Sequence, residues 1–173
     1  MKSDELQEEI NIEIELIEGV LREISSLRKD IADREPTTRE KTAAAAFLAQ
    51  FYGGIENILK RINKFHSIPL PIGDTWHMDL FKRFCAPSCD PLPELFDESL
   101  SSALMPFRRF RHVVYHSYGF QLDWGRMEEG IVNIENVWMR FKANLFNYLK
   151  KINMEEIKAD IELIDMNLDK KND

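Results

Sequence analysis

Leu6-Gln-Glu-Glu-Ile10-Asn-Ile-Glu-Ile14-Glu-Leu-Ile17-Glu-Gly-Val-Leu21-Arg-Glu-Ile24-Ser-Ser-Leu27-Arg-Lys-Asp-Ile31 is the stretch that decides the fold. Its residues Leu6, Ile10, Ile14, Ile17, Leu21, Ile24, Leu27 and Ile31 return at steps of three and four. A helix turns about 100° per residue, so this spacing gathers the apolar side chains on one stripe. The pattern predicts an amphipathic helix of about 25 residues, long enough to pair with another long helix.

Working outward, Asp33-Arg-Glu-Pro36 breaks the pattern, and Pro36 suits the first turn of a second helix because an N–H there has no helical partner. That second helix has Phe47, Leu48, Phe51, Ile55, Ile58, Leu59, Ile62 and Phe65 to bury. Gly53 and Gly54 lie inside it, each costing about 1 kcal/mol against alanine, which predicts a close backbone approach. Ser67–Gly73 reads as a loop, and Asp74 as the N-cap of a short helix over Thr75–Phe84. Ala86–Pro93 holds three prolines and reads as a second loop.

A further helix is expected from Pro93, kinked at Pro106 and stopped at Gly119. Asp123 is expected to cap a long fifth helix built on Ile131, Ile134, Val137, Phe141, Leu145, Leu149 and Ile152. Met154–Leu168 repeats the pattern with Ile157, Ile161, Ile164 and Leu168, and residues 169–173 read as a short flexible tail. There is no repeat and no alternating strand pattern. The expectation is an all-α up-and-down bundle of five to six helices, one domain over residues 1–168.

Seven glycines and seven prolines in 173 residues leave little room for a many-turned β fold. The longest apolar runs, such as Ala43–Leu48, are far too short to cross a bilayer, and the acidic N-terminus lacks an apolar signal core. These features predict a cytoplasmic protein with no membrane partner. The net charge of −7 argues against nonspecific nucleic-acid binding by the whole surface. The charge is uneven, however: residues 1–18 carry seven acids against one lysine. Cys85 and Cys89 read as reduced loop thiols. Their C-x3-C spacing, with His66 and His77 upstream, is looser than the repeated close pairs of structural zinc sites, so metal ligation is the weaker reading.

The chemistry concentrates in Arg108-Arg-Phe-Arg-His-Val-Val-Tyr-His-Ser-Tyr118, which has three arginines, two histidines, two tyrosines and no acid. On a helix, Phe107, Phe110, Val113 and Val114 share an apolar arc. Arg109, His112 and His116 form one polar stripe, and Arg108, Arg111, Tyr115 and Tyr118 form the stripe beside it. Guanidinium groups bind phosphate through a permanently charged fork, and imidazoles move protons near neutral pH. Such a face suits phosphate chemistry, or docking on an acidic partner. Trp76, Trp124 and Trp138 read as packing residues, while His66 and His77 stand in no motif of their own.

Arg111, His116 and Tyr118 together spell R-x4-H-x-Y, with the polar His112 directly after the arginine. This pattern resembles that of HEPN-domain ribonucleases, specifically the HepT-like toxins paired with a minimal nucleotidyltransferase. The alanine-rich helix running into Phe51–Ile62, then Trp76-His77, Phe110-Arg-His and Tyr118-Gly119 extend the likeness over roughly residues 5 to 150. The resemblance implies a metal-independent endoribonuclease that needs no cofactor. Arg111 and His116 would be catalytic, and His112, Arg108 and Arg109 would support them or bind substrate. It also implies a homodimer whose two motifs line one cleft. A nucleotidyltransferase antitoxin would silence the enzyme by adding AMP to Tyr118.

Cleaving RNA without a metal requires a base for the 2′-hydroxyl proton, an acid for the leaving 5′-oxygen, and positive charge on the phosphorane between them. A five-residue step leaves Arg111 and His116 about 140° apart on an ideal helix. The pair therefore converges only if the helix ends near His116 or if a second protomer faces it. That offset and the acidic surface keep a second expectation open: a non-catalytic helical binding partner of a nucleotidyltransferase.

Overall fold

The structure, a computed structural model, describes residues 2–116 and 121–169, with residues 112, 113, 115, 116 and 164–169 described by their backbone alone. Five helices make up the regular structure of these residues: α1 (Ser3–Asp30), α2 (Thr38–Phe65), α3 (Trp76–Lys82), α4 (Glu98–His116) and α5 (Trp124–Asp169). The periodic stripes become the core. Leu6, Ile10, Ile14, Ile17 and Ile24 of α1 are buried, and α2 buries Leu48, Phe51, Ile55, Ile58, Leu59 and Ile62. The chain is all-α, as the apolar spacing predicts.

α1 and α2 run antiparallel, with Ile17 beside Gly54 and with Glu13 and Glu9 against Arg61. A Cβ added at Gly54 would lie 2.5 Å from Ile17 Cγ1, whereas one at Gly53 meets nothing within 4 Å. Of the two glycines, Gly54 alone carries the close approach. The start of α2 also shifts slightly from the expectation. Thr37, not Pro36, opens it: the Thr37 hydroxyl accepts from the Glu40 N–H at 3.3 Å, and Glu40 accepts from the Thr37 N–H at 2.8 Å. Arg34 pairs with that carboxylate and, together with the Thr37 bonds, holds it down to about 2.

Three further expectations are corrected. Thr75, not Asp74, precedes α3: its carbonyl accepts from Met78 N at 2.8 Å, and its hydroxyl donates to Asp79 Oδ2. α4 starts at Glu98 rather than near Pro93. The Phe84 carbonyl accepts from the N–H groups of Leu95 and Phe96 at 2.9 and 3.1 Å, and Phe96 O accepts from Ala86 N at 3.1 Å. Those bonds commit the chain before Asp97 to a non-helical path, and Asp97 then caps α4 by accepting from Leu100 N at 2.7 Å. Pro106 lies inside the helix.

The segment expected as a sixth helix is the continuation of α5. Asp123 caps α5 by accepting from Gly125 N at 3.0 Å, and the helix then runs for 46 residues, about 69 Å at 1.5 Å per residue. Around Asn153 it is tied to the start of α1, where Asn153 donates to Gln7 and Ser3 N donates to Glu156. Beyond those ties Ile157, Ile161 and Leu163 are exposed.

Aromatic rings fill the middle of the bundle. Phe51 of α2 lies 5.2 Å from Phe107 of α4 and 6.3 Å from Trp138 of α5, centroid to centroid. Phe96 stacks between Phe81 and Phe141. Trp138 is buried, and Trp76 and Trp124 pack partly buried against the core. No helix among the described residues is long and apolar enough to cross a membrane. This framework brings α2, α3 and one face of α4 together around a buried carboxylate.

Candidate functional site

That carboxylate is Glu56, only 1% exposed on the core-facing side of α2. Tyr52, Glu56 and Asn63 lie on this buried face among Ile55, Leu59 and Ile62. A carboxylate so deep costs several kcal/mol of desolvation unless cations and donors meet it. Three elements supply them. His77 of α3 brings Nδ1 to 2.7 Å from Glu56 Oε1. Arg111 of α4 brings Nε to 3.6 Å from Oε2, and Lys60, one turn along α2, brings Nζ to 3.8 Å from Oε1.

The second layer ties the same groups to one another. Arg111 Nη1 lies 2.8 Å from His77 Nε2 and 3.0 Å from Nδ1, so the guanidinium rests against the imidazole. A nitrogen 2.7 Å from a carboxylate oxygen is best read as donating its hydrogen, which makes Nδ1 the N–H and leaves the Nε2 lone pair to accept from Arg111 Nη1. Trp76 stacks on His77 with ring centroids 3.4 Å apart, and Lys60 sits 4.9 Å over the Trp76 ring. Arg108, one turn before Arg111, lies over Phe81 at 5.7 Å. Around one carboxylate the fold thus gathers a histidine, a lysine and an arginine, with a second arginine close by.

The cluster is not saturated. Among the described residues, Glu56 Oε2 is buried without a hydrogen-bond partner, and so is the Tyr52 hydroxyl one turn before it. Burial foremost, then the Glu56 charge, pushes the Tyr52 phenol far above its ordinary value, while Arg108 and Arg111 pull the other way. Both Arg111 and His77 keep a path to solvent, with side chains 28% and 27% exposed. Glu56 and Arg111 border an open groove of about 480 Å³ between α1, α2 and α4, together with Gln50, Asn57 and Lys60.

The residues singled out in the sequence fare differently. Arg111 stands at the centre of the cluster, and Arg108 is beside it. Arg109 is exposed, about 160° round the helix from Arg111, and takes no part. Phe107 is buried, and Phe110 and Val114 pack against the core, as the apolar arc predicts. The α4 backbone is helical through His116, which keeps positions 111 and 116 about 140° apart in register. The side chains of His112 and His116 lie outside the described residues, as does the whole of Tyr118.

Reasoning from sequence assigned no functional role to Glu56 or Lys60, and it named His77 only within Trp76-His77 of the family likeness and as a histidine in no motif of its own. Glu56 did leave a signal: it is a lone acid between Ile55 and Leu59, on a helix face that is otherwise apolar. His77 left only the neighbouring tryptophan. Elsewhere, His66 Nε2 meets the Tyr148 hydroxyl at 2.8 Å at the far end of α2. Cys85 faces Phe81 O and Ser101 Oγ, and burial pushes its thiol up. Among the described residues no three His, Cys, Asp or Glu side chains are grouped to hold a metal ion.

Compared with known proteins, residues 43–152 match a family model described as HepT-like protein. That span includes Glu56, His77, Arg111, His116 and Tyr118. Among curated proteins and among solved structures nothing matches.

Proposed function

The chain belongs to the HepT-like protein family, and on that premise we propose that it is a metal-independent endoribonuclease, the toxin of a toxin–antitoxin pair. Arg111 binds the scissile phosphate, and His116 serves the proton transfer that the cleavage requires. The observation that carries this reading is Arg111 itself. Its guanidinium is held half-buried at a groove, on the one arginine of the helix that begins R-x4-H-x-Y. A guanidinium already oriented before substrate arrives loses little freedom on gripping a phosphate. Arg108 and His112 support the site; Arg109, facing away within one protomer, would act only on a more extended RNA.

The 140° offset between Arg111 and His116 is bridged by a homodimer, in which one protomer's arginine meets the partner's histidine. Tyr118 is the residue that a separate nucleotidyltransferase antitoxin would modify. AMP attached there brings phosphate charge beside the phosphate-binding arginine and fills the cleft.

The test is cleavage of total cellular RNA by purified protein in EDTA, beside His116→Ala. Discrete products ending in 2′,3′-cyclic phosphate from the wild type alone are expected. Intact RNA from a dimeric, unmodified wild type would reject the ribonuclease reading.

One observation favours a second reading, a non-catalytic helical partner of a nucleotidyltransferase. Arg111 is already engaged by Glu56 and His77, as a purely structural arginine would be. This reading expects a stable complex with the nucleotidyltransferase that survives His116→Ala, and no RNA cleavage.

A further inference from the structure

The cluster around Glu56 contains a group that the R-x4-H-x-Y pattern does not, an imidazole on the same side of α4 as Arg111. Resting on the ribonuclease reading, we propose that His77 is a catalytic residue, the general base that removes the 2′-hydroxyl proton at the phosphate held by Arg111.

Three features of the geometry support this assignment. First, the ring is oriented. Nδ1 bonds to a carboxylate that is 1% exposed, which sets the tautomer, and the tilted Trp76 ring packs against the imidazole and limits its direction. With the hydrogen on Nδ1, the lone pair that can accept a proton is on Nε2, where it accepts from Arg111 Nη1 until that guanidinium turns to a phosphate. Second, Nε2 is placed where the chemistry would occur. It lies 2.8 Å from Arg111 Nη1, so a phosphate oxygen gripped by that guanidinium comes within one further hydrogen-bond length of the imidazole. Third, the ring is 27% exposed, so substrate can reach it, whereas the Glu56 carboxylate behind it is closed to substrate.

The charged groups facing the ring are Glu56 and Lys60 from α2 and Arg111 from α4. Glu56 favours the imidazolium that forms on proton uptake, while Lys60 and Arg111 oppose it.

The step balances without any further reactant. His77 Nε2 takes the proton of the 2′-hydroxyl, and the 2′-oxygen forms a bond to phosphorus. The bond from phosphorus to the 5′-oxygen breaks, and that oxygen takes a proton from His116 of the facing protomer. The products are a 2′,3′-cyclic phosphate and a free 5′-hydroxyl, and exchange with water restores both imidazoles. His77 thereby supplies the base within the protomer that supplies Arg111, and the dimer is needed for the acid alone.

The experiment is a pH–rate profile for cleavage of a short fluorogenic oligoribonucleotide by the full chain in EDTA. Wild type, His77→Gln, Glu56→Gln and His116→Ala would be compared, each confirmed by its melting profile to be folded at the assay temperature. Wild type is expected to give a bell-shaped curve. His77→Gln should lose about 100- to 10,000-fold in rate and also lose the rise on the acid side of the optimum, because that rise reports deprotonation of the base. Glu56→Gln keeps a hydrogen-bond acceptor but not the charge, so its acid limb should move to lower pH. This variant also carries the test if His77→Gln does not fold. A His77→Gln variant that cleaves at the wild-type rate overturns the assignment and leaves the ribonuclease reading intact. So does one that is slower with an unmoved acid limb, which would mark His77 as a positioning residue. No cleavage by the unmodified wild type overturns both.

Discussion

Helix α2 takes part in two carboxylate clusters, one with α1 and one with α3 and α4, and they are built differently. Where α2 meets α1, Glu13 is 6% exposed and is met by Arg61 Nη2 at 2.8 Å, while Arg61 Nη1 reaches Glu9 at 2.8 Å. Two acids share one arginine through short bonds, and Asn57 adds a longer contact to Glu13. Where α2 meets α3 and α4, Glu56 has one short bond, from His77, and two looser approaches at 3.6 and 3.8 Å. One of its oxygens has no hydrogen-bond partner among the described residues. The first arrangement pairs its two acids with one arginine within two helices, though Arg61 Nε is buried without a partner among the described residues. The second brings an arginine, a lysine and an imidazole from three helices to one carboxylate at the edge of a groove, the chemistry that an anionic ligand requires.

The sharpest way to break this contrast is to remove the arginine from each cluster. Arg111→Ala leaves Glu56 buried with only His77 and Lys60, and is expected to cost about 3–5 kcal/mol or to force protonation of the carboxylate. Glu56→Gln is expected to cost less, about 1–2 kcal/mol, because Arg111 and His77 can turn toward solvent. Urea unfolding at neutral pH measures both. If Glu56→Gln proves the more damaging, the carboxylate is not the liability at this site. Arg61→Ala should destabilise comparably to Arg111→Ala, yet leave RNA cleavage per folded molecule unchanged. Loss of cleavage from Arg61→Ala would erase the functional distinction between the clusters. Because Arg111→Ala combines lost stability with lost chemistry, Arg111→Lys is the better probe of phosphate binding. It keeps the charge and gives up the planar fork.

The same two clusters show how far the sequence could be read. Stripes such as Leu6–Ile31 announce α1 because burial at steps of three and four admits no other regular structure, and Arg111 stood out because its neighbours spell a motif. Boundaries were harder. Pro93 looked like a helix start because proline suits that position, but backbone bonds to Phe84 hold the following residues out of the helix and Asp97 caps it instead. The junction near Asn153 looked like a break. Contacts with Gln7 and Ser3, far away in sequence, help carry α5 through it. Glu56 and His77 were missed for a related reason. They are 21 residues apart, and His77 is 34 from Arg111, so only the packing of three helices makes them one site. A single acid on an apolar face signals that a partner exists, not which partner.

A smaller effect tests whether the α1–α2 seam is as tightly closed as its charges suggest. Gly54→Ala places a methyl group 2.5 Å from Ile17 Cγ1, inside any permitted contact, so Ile17 or the helix must move. A loss of about 1–3 kcal/mol is expected. Gly53→Ala has nothing within 4 Å and should instead stabilise by about 0.5–1 kcal/mol, through lower backbone entropy in the unfolded chain. Thermal melts of the two single variants decide the point. Two changes of the same sign would mean that the helices separate easily and that the Glu13–Arg61 pair does not pin them.

The smallest effect concerns a third polar contact on α2, at its end. The His66 imidazole meets the Tyr148 hydroxyl at 2.8 Å, and desolvation holds its pKa below the ordinary value against the opposing pull of Asp90 and Glu155. The folded state therefore binds this proton less readily than the unfolded chain does, and proton uptake favours unfolding. Its contribution to stability is complete above the unfolded imidazole value of about 6.5 and declines as pH falls from there toward the lower folded value. Replacing His66 with glutamine removes the titration, so the stability difference between wild type and variant should narrow or reverse between about pH 7 and pH 5. A difference that stays constant across that range would mean that His66 titrates as it does in the unfolded chain. The neutral polar contact would then differ from both carboxylate clusters, whose charges are present in the folded state.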